Sequence, residues 1–202
     1  LGLASVTSDN LAAVQAVIAA DDGTQVASLS GLQGLVSQAV VTAKASFDAV
    51  KVYGTQGSSA SAPTVQDYAN LGVQTQDAQS LNQWMASISA TGKNTIAKVQ
   101  SVGEAYAALQ TVANGVAGDG ATLSLSQLSA LGVTGLNEAS AALASTVLDG
   151  KSAAAVDTLA KVQALADTAK VVVALADGVA GNGVGLTQAQ LSALGVSGVD
   201  SA

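Results

Sequence analysis

The tripeptide Leu-Gly-Val stands at 71–73, 131–133 and 194–196, and Leu1-Gly2-Leu3 opens the chain as a variant fourth copy. Successive copies are 70, 60 and 63 residues apart. Self-similarity at such a period predicts a tandem array, in which each unit leaves an apolar face for its neighbour to cover. Units of about 60 residues bury only roughly 60% of the surface their unfolded chain exposes, so stabilisation by neighbours matters. The copies divide the chain into helical repeat 1 (1–70), helical repeat 2 (71–130) and helical repeat 3 with the start of a following unit (131–202). On this reading Leu1-Gly2 closes a preceding unit, in the same chain or another.

Each period predicts three helices. A short amphipathic one comes first, with Thr7 or Ser8 ahead of Leu11, Val14, Val17 and Ile18 in the first copy. In the second, Thr75 precedes Leu81, Trp84, Met85 and Ile88, whose i, i+3, i+4, i+7 spacing makes one apolar stripe. The third copy, Asn137 to Leu148, carries a weaker face of Leu143, Val147 and Leu148. Polar turns follow at Asp21-Asp22-Gly23, Thr91-Gly92-Lys93 and Asp149-Gly150-Lys151, where glycine is expected to supply a left-handed residue. Long helices are then expected over roughly Ser28 to Tyr53, Asn94 to Val116 and Ser152 to Val179. About 25 residues at 1.5 Å each give a rod of roughly 37 Å. Alanine dominates between their larger residues, which permits close helix approach but little burial per residue.

The third element is a two-turn helix with an N-terminal capping box: Ser124 with Gln127, Thr187 with Gln190 and, as a looser version, Thr64 with Asp67. Pro63 immediately precedes the first of these starts. Each runs into a Leu-Gly, whose Leu is its last apolar anchor and whose glycine (Gly72, Gly132, Gly195) terminates it. The loops leading in differ: Gly54 to Pro63 is long, while Val116-Ala-Gly-Asp-Gly120 and Val179-Ala-Gly-Asn-Gly183 nearly match. The expected fold is all-α, three units of short, long and two-turn helix in an elongated array.

Composition narrows the chemistry. The chain has no Cys, His or Arg, which removes the usual metal ligands, the commonest general base and the bidentate phosphate fork. A net charge of −7 disfavours nucleic acid and anionic membrane surfaces as partners. Mean hydropathy is +0.43, yet Lys170, Asp177 and Asn182 interrupt the most apolar stretch, so membrane insertion is not expected.

Individual motifs read as structural. Gly150-Lys151-Ser152 resembles the end of a phosphate-binding loop, but Ser145 stands where the motif needs its first glycine. Gly118-Asp119-Gly120 and Gly181-Asn182-Gly183 hint at a dinucleotide fingerprint and fail it, the first because Leu123 stands at its last glycine position, and no strand is expected before either. Asp119, or Asp21 with Asp22, offers hard oxygen to calcium, although such a site wants about six to eight oxygens and neither cluster has EF-hand spacing. Asp157, Asp167 and Asp177 recur every ten residues and drift around a helix instead of converging as an acid/base pair. Trp84 and Met85 lie on an apolar stripe and read as core. No catalytic, cofactor-binding or metal residue is assigned, and no enzyme is expected.

The segments Ala62-Pro-Thr-Val-Gln-Asp-Tyr-Ala-Asn-Leu-Gly-Val73, Leu128-Ser-Ala-Leu-Gly-Val-Thr-Gly-Leu136 and Ser8-Asp-Asn-Leu-Ala-Ala-Val-Gln-Ala-Val17 resemble the helical tandem repeats of very large bacterial surface adhesins. Gln74-Thr75 departs from the Thr-Gly that usually follows Leu-Gly-Val there. The resemblance implies a structural extender or spacer at a bacterial surface or outside the cell, with no binding residues to carry over. Its partners would be neighbouring repeats of the same or another chain. Two alternatives stand beside it: a subunit that polymerises into an extracellular filament or surface layer, and a helical module that binds a ligand.

Overall fold

A computed structural model describes residues 6–176, 178–179 and 185–198. The opening Leu1-Gly2-Leu3, Asp177 and the loop Gly181-Asn182-Gly183 lie outside the described residues. Among the described residues the protein is all-α, with no strand and no helix long and apolar enough to cross a membrane. Its helices are α1 (Leu11–Ala20), α2 (Leu29–Gln56), α3 (Val65–Asn70), α4 (Ala78–Ser87), α5 (Ile96–Val112), α6 (Leu125–Ala130), α7 (Glu138–Asp149), α8 (Leu159–Leu175) and α9 (Gln188–Ala193). Short 3-10 turns stand at Gly57–Ser59, Ala90–Lys93 and Ala153–Ala155.

The chain divides into two compact units, Leu1–Glu104 and Ala105–Ala202, a division that falls within α5. In the first unit α2 is the central helix, packed against α1, α3 and α4. Val14 of α1 meets Val36 and Ala39 of α2, with Val6, Val17, Ile18, Leu32 and Val40 around them. Further along, Tyr68, Leu71, Leu81, Trp84 and Met85 are fully buried, so the stripe expected on α4 faces the core. In the second unit α7 packs on α8 and α6 packs on α7. Ala141, Ala144, Ala166 and Ala169 are buried there, and their small side chains permit the close approach that composition leads one to expect.

Two of the long helices are shorter than the sequence pattern suggests. α2 has 28 residues, but α5 and α8 have 17 each. They start late because threonine hydroxyls stop them: Thr95 Oγ1 accepts the Lys98 N–H and Thr158 Oγ1 accepts that of Lys161. Ser152 to Thr158 is a 3-10 turn and bends instead of helix. α5 ends at Val112, before Asn114 and a left-handed Gly115 at φ 84°. α2, by contrast, runs past Gly54, whose missing Cβ leaves room for the Lys93 side chain, and closes at Gly57 with φ 57°.

The short helices also start differently from expectation. Asn10 stands at the N-cap of α1, after Thr7 and Ser8, and Leu11 is exposed. The cap of α4 is Asp77, which accepts the Ser80 N–H, and not Thr75. Of the three glycines expected to be left-handed after the short helices, only Gly23 is, at φ 92°. Gly150 has φ −84°, and Gly92 lies in a 3-10 turn where a Cβ would stand 2.6 Å from Ile88 Cγ2, so close approach selects glycine there.

Candidate functional site

The most distinctive construction in the molecule is the Leu-Gly-Val joint. Each begins upstream with its capping box. Thr64 Oγ1 accepts the Asp67 N–H while Asp67 returns a bond to the Thr64 N–H, and Ser124 with Gln127 and Thr187 with Gln190 do the same. Each then ends in one hydrogen-bond pattern. The Val73, Val133 and Val196 N–H groups donate to Tyr68, Leu128 and Leu191, and the Gly72, Gly132 and Gly195 N–H groups donate to Ala69, Ser129 and Ser192. This is the Schellman closure, which needs a left-handed residue at the glycine. The three glycines have φ 79°, 91° and 86°. Leu-Gly-Val is therefore the C-cap, the left-handed residue and the apolar residue that folds back over the helix it ends.

Two of the joints are held from a distance. Gln100 Nε2 of α5 donates to the Leu71 carbonyl at 2.6 Å. Gln163 of α8 brackets Thr134, accepting its N–H at 2.9 Å and donating to its carbonyl at 3.1 Å. Helix periodicity does not single out these glutamines. The recurrence of Thr-Ile-Ala-Lys-Val-Gln at 95–100 and Thr-Leu-Ala-Lys-Val-Gln at 158–163 does, since each segment carries both the cap of a long helix and the glutamine one turn on. Close packing reinforces the first clamp, because a Cβ on Gly103 would lie 2.3 Å from Val73 Cγ1.

Around the first joint a buried polar network links three elements. The Tyr68 hydroxyl donates to Asn82 Oδ1 at 2.7 Å, and Asn82 Nδ2 donates to the Pro63 carbonyl at 2.8 Å. Burial, together with the nearby Tyr53 and Asp67, pushes the Tyr68 hydroxyl well above the ordinary tyrosine value. Ser46 of α2 donates to Asp67 Oδ1 and accepts from Asn70 Nδ2, joining α2 to α3. At the second joint Leu128 takes the place of Tyr68 and the network is absent; Ser145 Oγ instead accepts the Leu123 N–H at 2.7 Å. Pro63, the counterpart of Leu123, has no N–H, and Met85 stands where Ser145 does relative to the joint.

The residues weighed for chemistry take ordinary structural places. Lys151 donates to the Ala193 carbonyl at the end of α9, and the buried Lys93 donates to the Gly54 and Met85 carbonyls near the ends of α2 and α4. Burial lowers the Lys93 ammonium below the ordinary lysine value. Asp21 and Asp22 each accept a backbone N–H two residues on, from Gly23 and Thr24. Asp157 pairs with Lys161 at 2.8 Å, and Asp167 accepts from Gln163. Trp84 and Met85 are core.

Asp119 is better placed. Its carboxylate accepts the Ala121 N–H and the Asn114 amide, which hold it below the ordinary aspartate value, and it lies against the carboxyl of Asp149. Asp149 Oδ2 accepts the Gly118 N–H, while its buried Oδ1 has no hydrogen-bond partner. Two carboxylates fall short of the oxygen count calcium takes. Among the described residues no group of three or more His, Cys, Asp or Glu gathers that could hold a metal ion.

Two clefts are open to solvent. One of about 500 Å³ is lined by Ala155, Ala164, Leu165, Thr168, Ala189 and Ala193, with Lys151, Lys161 and Gln190 beside them and no carboxylate. The other, of about 440 Å³, lies by Asp21, Asp22 and Thr24 at the turn after α1. In the first the Thr168 hydroxyl donates to the Ala164 carbonyl, and in the second Asp21 and Asp22 are engaged by the backbone of their own turn. Comparison with protein-family models, curated proteins and solved structures returns no match.

Proposed function

We propose that the chain is a structural, non-catalytic run of extender units from a bacterial surface or extracellular protein of the adhesin kind. The observation that supports this reading is the construction of the joints at 71–73 and 131–133. Each is capped at its start, closed by a left-handed glycine and gripped by a glutamine from the long helix that follows. A joint fixed at both ends hands a defined direction from one helical unit to the next, which is what a spacer needs. Three units of short, long and two-turn helix then stand in an elongated array, and their partners are neighbouring units.

Small-angle scattering from dilute protein tests the reading. A rod-like distance distribution, its longest dimension several times its cross-section, is the expected result. A compact, near-spherical profile would overturn it.

A further inference from the structure

The loop after α5 and the turn after α7 meet at two carboxylates, and the contact leaves one oxygen unanswered. Left-handed glycines at 115, 118 and 120, with φ 84°, 80° and 87°, bend the loop back over that turn. The Gly115 N–H donates to the Lys151 carbonyl, and the Gly118 N–H donates to Asp149 Oδ2. The bond that holds Asp149 comes from the residue just before Asp119, so it also brings the two acids together. Asp149 is 8% exposed, its carboxyl lies against that of Asp119, and its Oδ1 is buried with no hydrogen-bond partner. Lysine does not answer it. Lys151 sends its ammonium to the Ala193 carbonyl, and the ion pairs among the described residues join Lys44 to Asp48 and Lys161 to Asp157. Asp119 itself is exposed, and the Ala121 N–H and the Asn114 amide hold its carboxyl below the ordinary aspartate value. Two carboxylates in contact repel unless a cation or a proton lies between them. A buried carboxylate oxygen without a partner costs stability until an ion or a water meets it.

We infer that Asp149 and Asp119 bind one calcium ion, with Asp149 Oδ1 as its buried ligand and water completing the shell on the open side of Asp119. A donor set made only of oxygen suits a hard cation. Magnesium keeps its own waters and demands near-octahedral ligands, whereas calcium accepts an irregular shell of about six to eight oxygens that can include water. With only two carboxylates from the protein, the affinity falls at the weak end, on the order of 10⁻⁴–10⁻³ M. The bound ion ties the loop after α5 to the end of α7. The site stands whether or not the units extend a surface protein.

Thermal melting of the full chain after chelator treatment tests this, with calcium or magnesium chloride added at constant ionic strength and backbone amide NMR signals followed alongside. Calcium is expected to raise the wild-type midpoint, to half-saturate at or below about 1 mM, and to move the Gly118 and Ala121 amide signals. Magnesium at equal concentration has a clearly smaller effect. Asp149→Asn keeps an acceptor for the Gly118 N–H and relieves the repulsion, so in chelator it is at least as stable as wild type. It binds calcium at least about tenfold more weakly, and Asp119→Asn does the same. Asp22→Asn, at the other acidic turn, responds as wild type does. Wild-type melting and amide signals that stay fixed up to ~10 mM calcium, well above the weakest affinity expected, overturn the site and leave the two acids to a shared proton or a water. A calcium response that survives Asp149→Asn, one that is lost on Asp22→Asn, or an equal response to magnesium overturns it too.

Discussion

At the scale of single residues, the joint depends on a glycine that no L-residue replaces without strain. Gly132 sits at φ 91°. Gly132→Ala is expected to cost about 1 kcal/mol, read as a lowered melting temperature. An unchanged midpoint would mean that the joint does not constrain the chain. Asp149→Asn should act in the opposite direction. The Asn side chain keeps an oxygen for the Gly118 N–H and turns an amide N–H toward the Asp119 carboxylate, where two carboxyl groups now meet. Greater stability at neutral pH is expected, measured as a higher urea midpoint. Gly132 is legible in the sequence because its role is set within six residues. Asp149 is not, since its partners Gly118 and Asp119 come from a loop some thirty residues earlier, and no local spacing pairs them with it.

At the scale of elements, the two-turn helices are held less by their length than by their ends. The cap at Asp67 is titratable, and this gives a pH test. Burial raises the Asp67 carboxyl, but the Thr64 N–H, the Thr64 hydroxyl and the Ser46 hydroxyl together outweigh it, leaving the group below the ordinary 3.8. A carboxylate lowered in the folded state contributes stability that is complete above the unfolded value and fades as pH falls through the folded one. Wild type should therefore lose stability between about pH 5 and about pH 2, and Asp67→Asn should lose less over that span. Parallel losses would show that the cap is not what titrates. The boxes themselves are readable from sequence, because Thr64, Ser124 and Thr187 each bond three residues ahead. The starts of α5 and α8 are not so readable. A polar turn with glycine precedes each, and nothing local says that Thr95 or Thr158 rather than that turn begins the helix.

At the scale of the whole molecule, the all-α class follows from periodicity and caps, while the packing does not. α2 is covered by α4 from beyond the first joint, a contact that no single period contains. Long-range polar contacts carry part of this order. Gln163→Ala removes two bonds to Thr134 and should cost about 1–2 kcal/mol, with faster amide exchange at Thr134 and Gly135. Exchange that stays as slow as in wild type would show that α8 does not hold the joint.

The differing environments of Pro63 and Leu123 bear on how such a chain can change over generations. Repeated coding sequence invites recombination between copies. Here, however, the copy with a backbone N–H before its two-turn helix carries Ser145 to receive it, and the copy without one carries Met85. A crossover that falls between these partners joins Leu123 to a methionine and leaves a donor stranded in the interior, or sets a hydroxyl against a proline that has nothing to give. Exchange is therefore tolerated when it moves the loop and its short helix together.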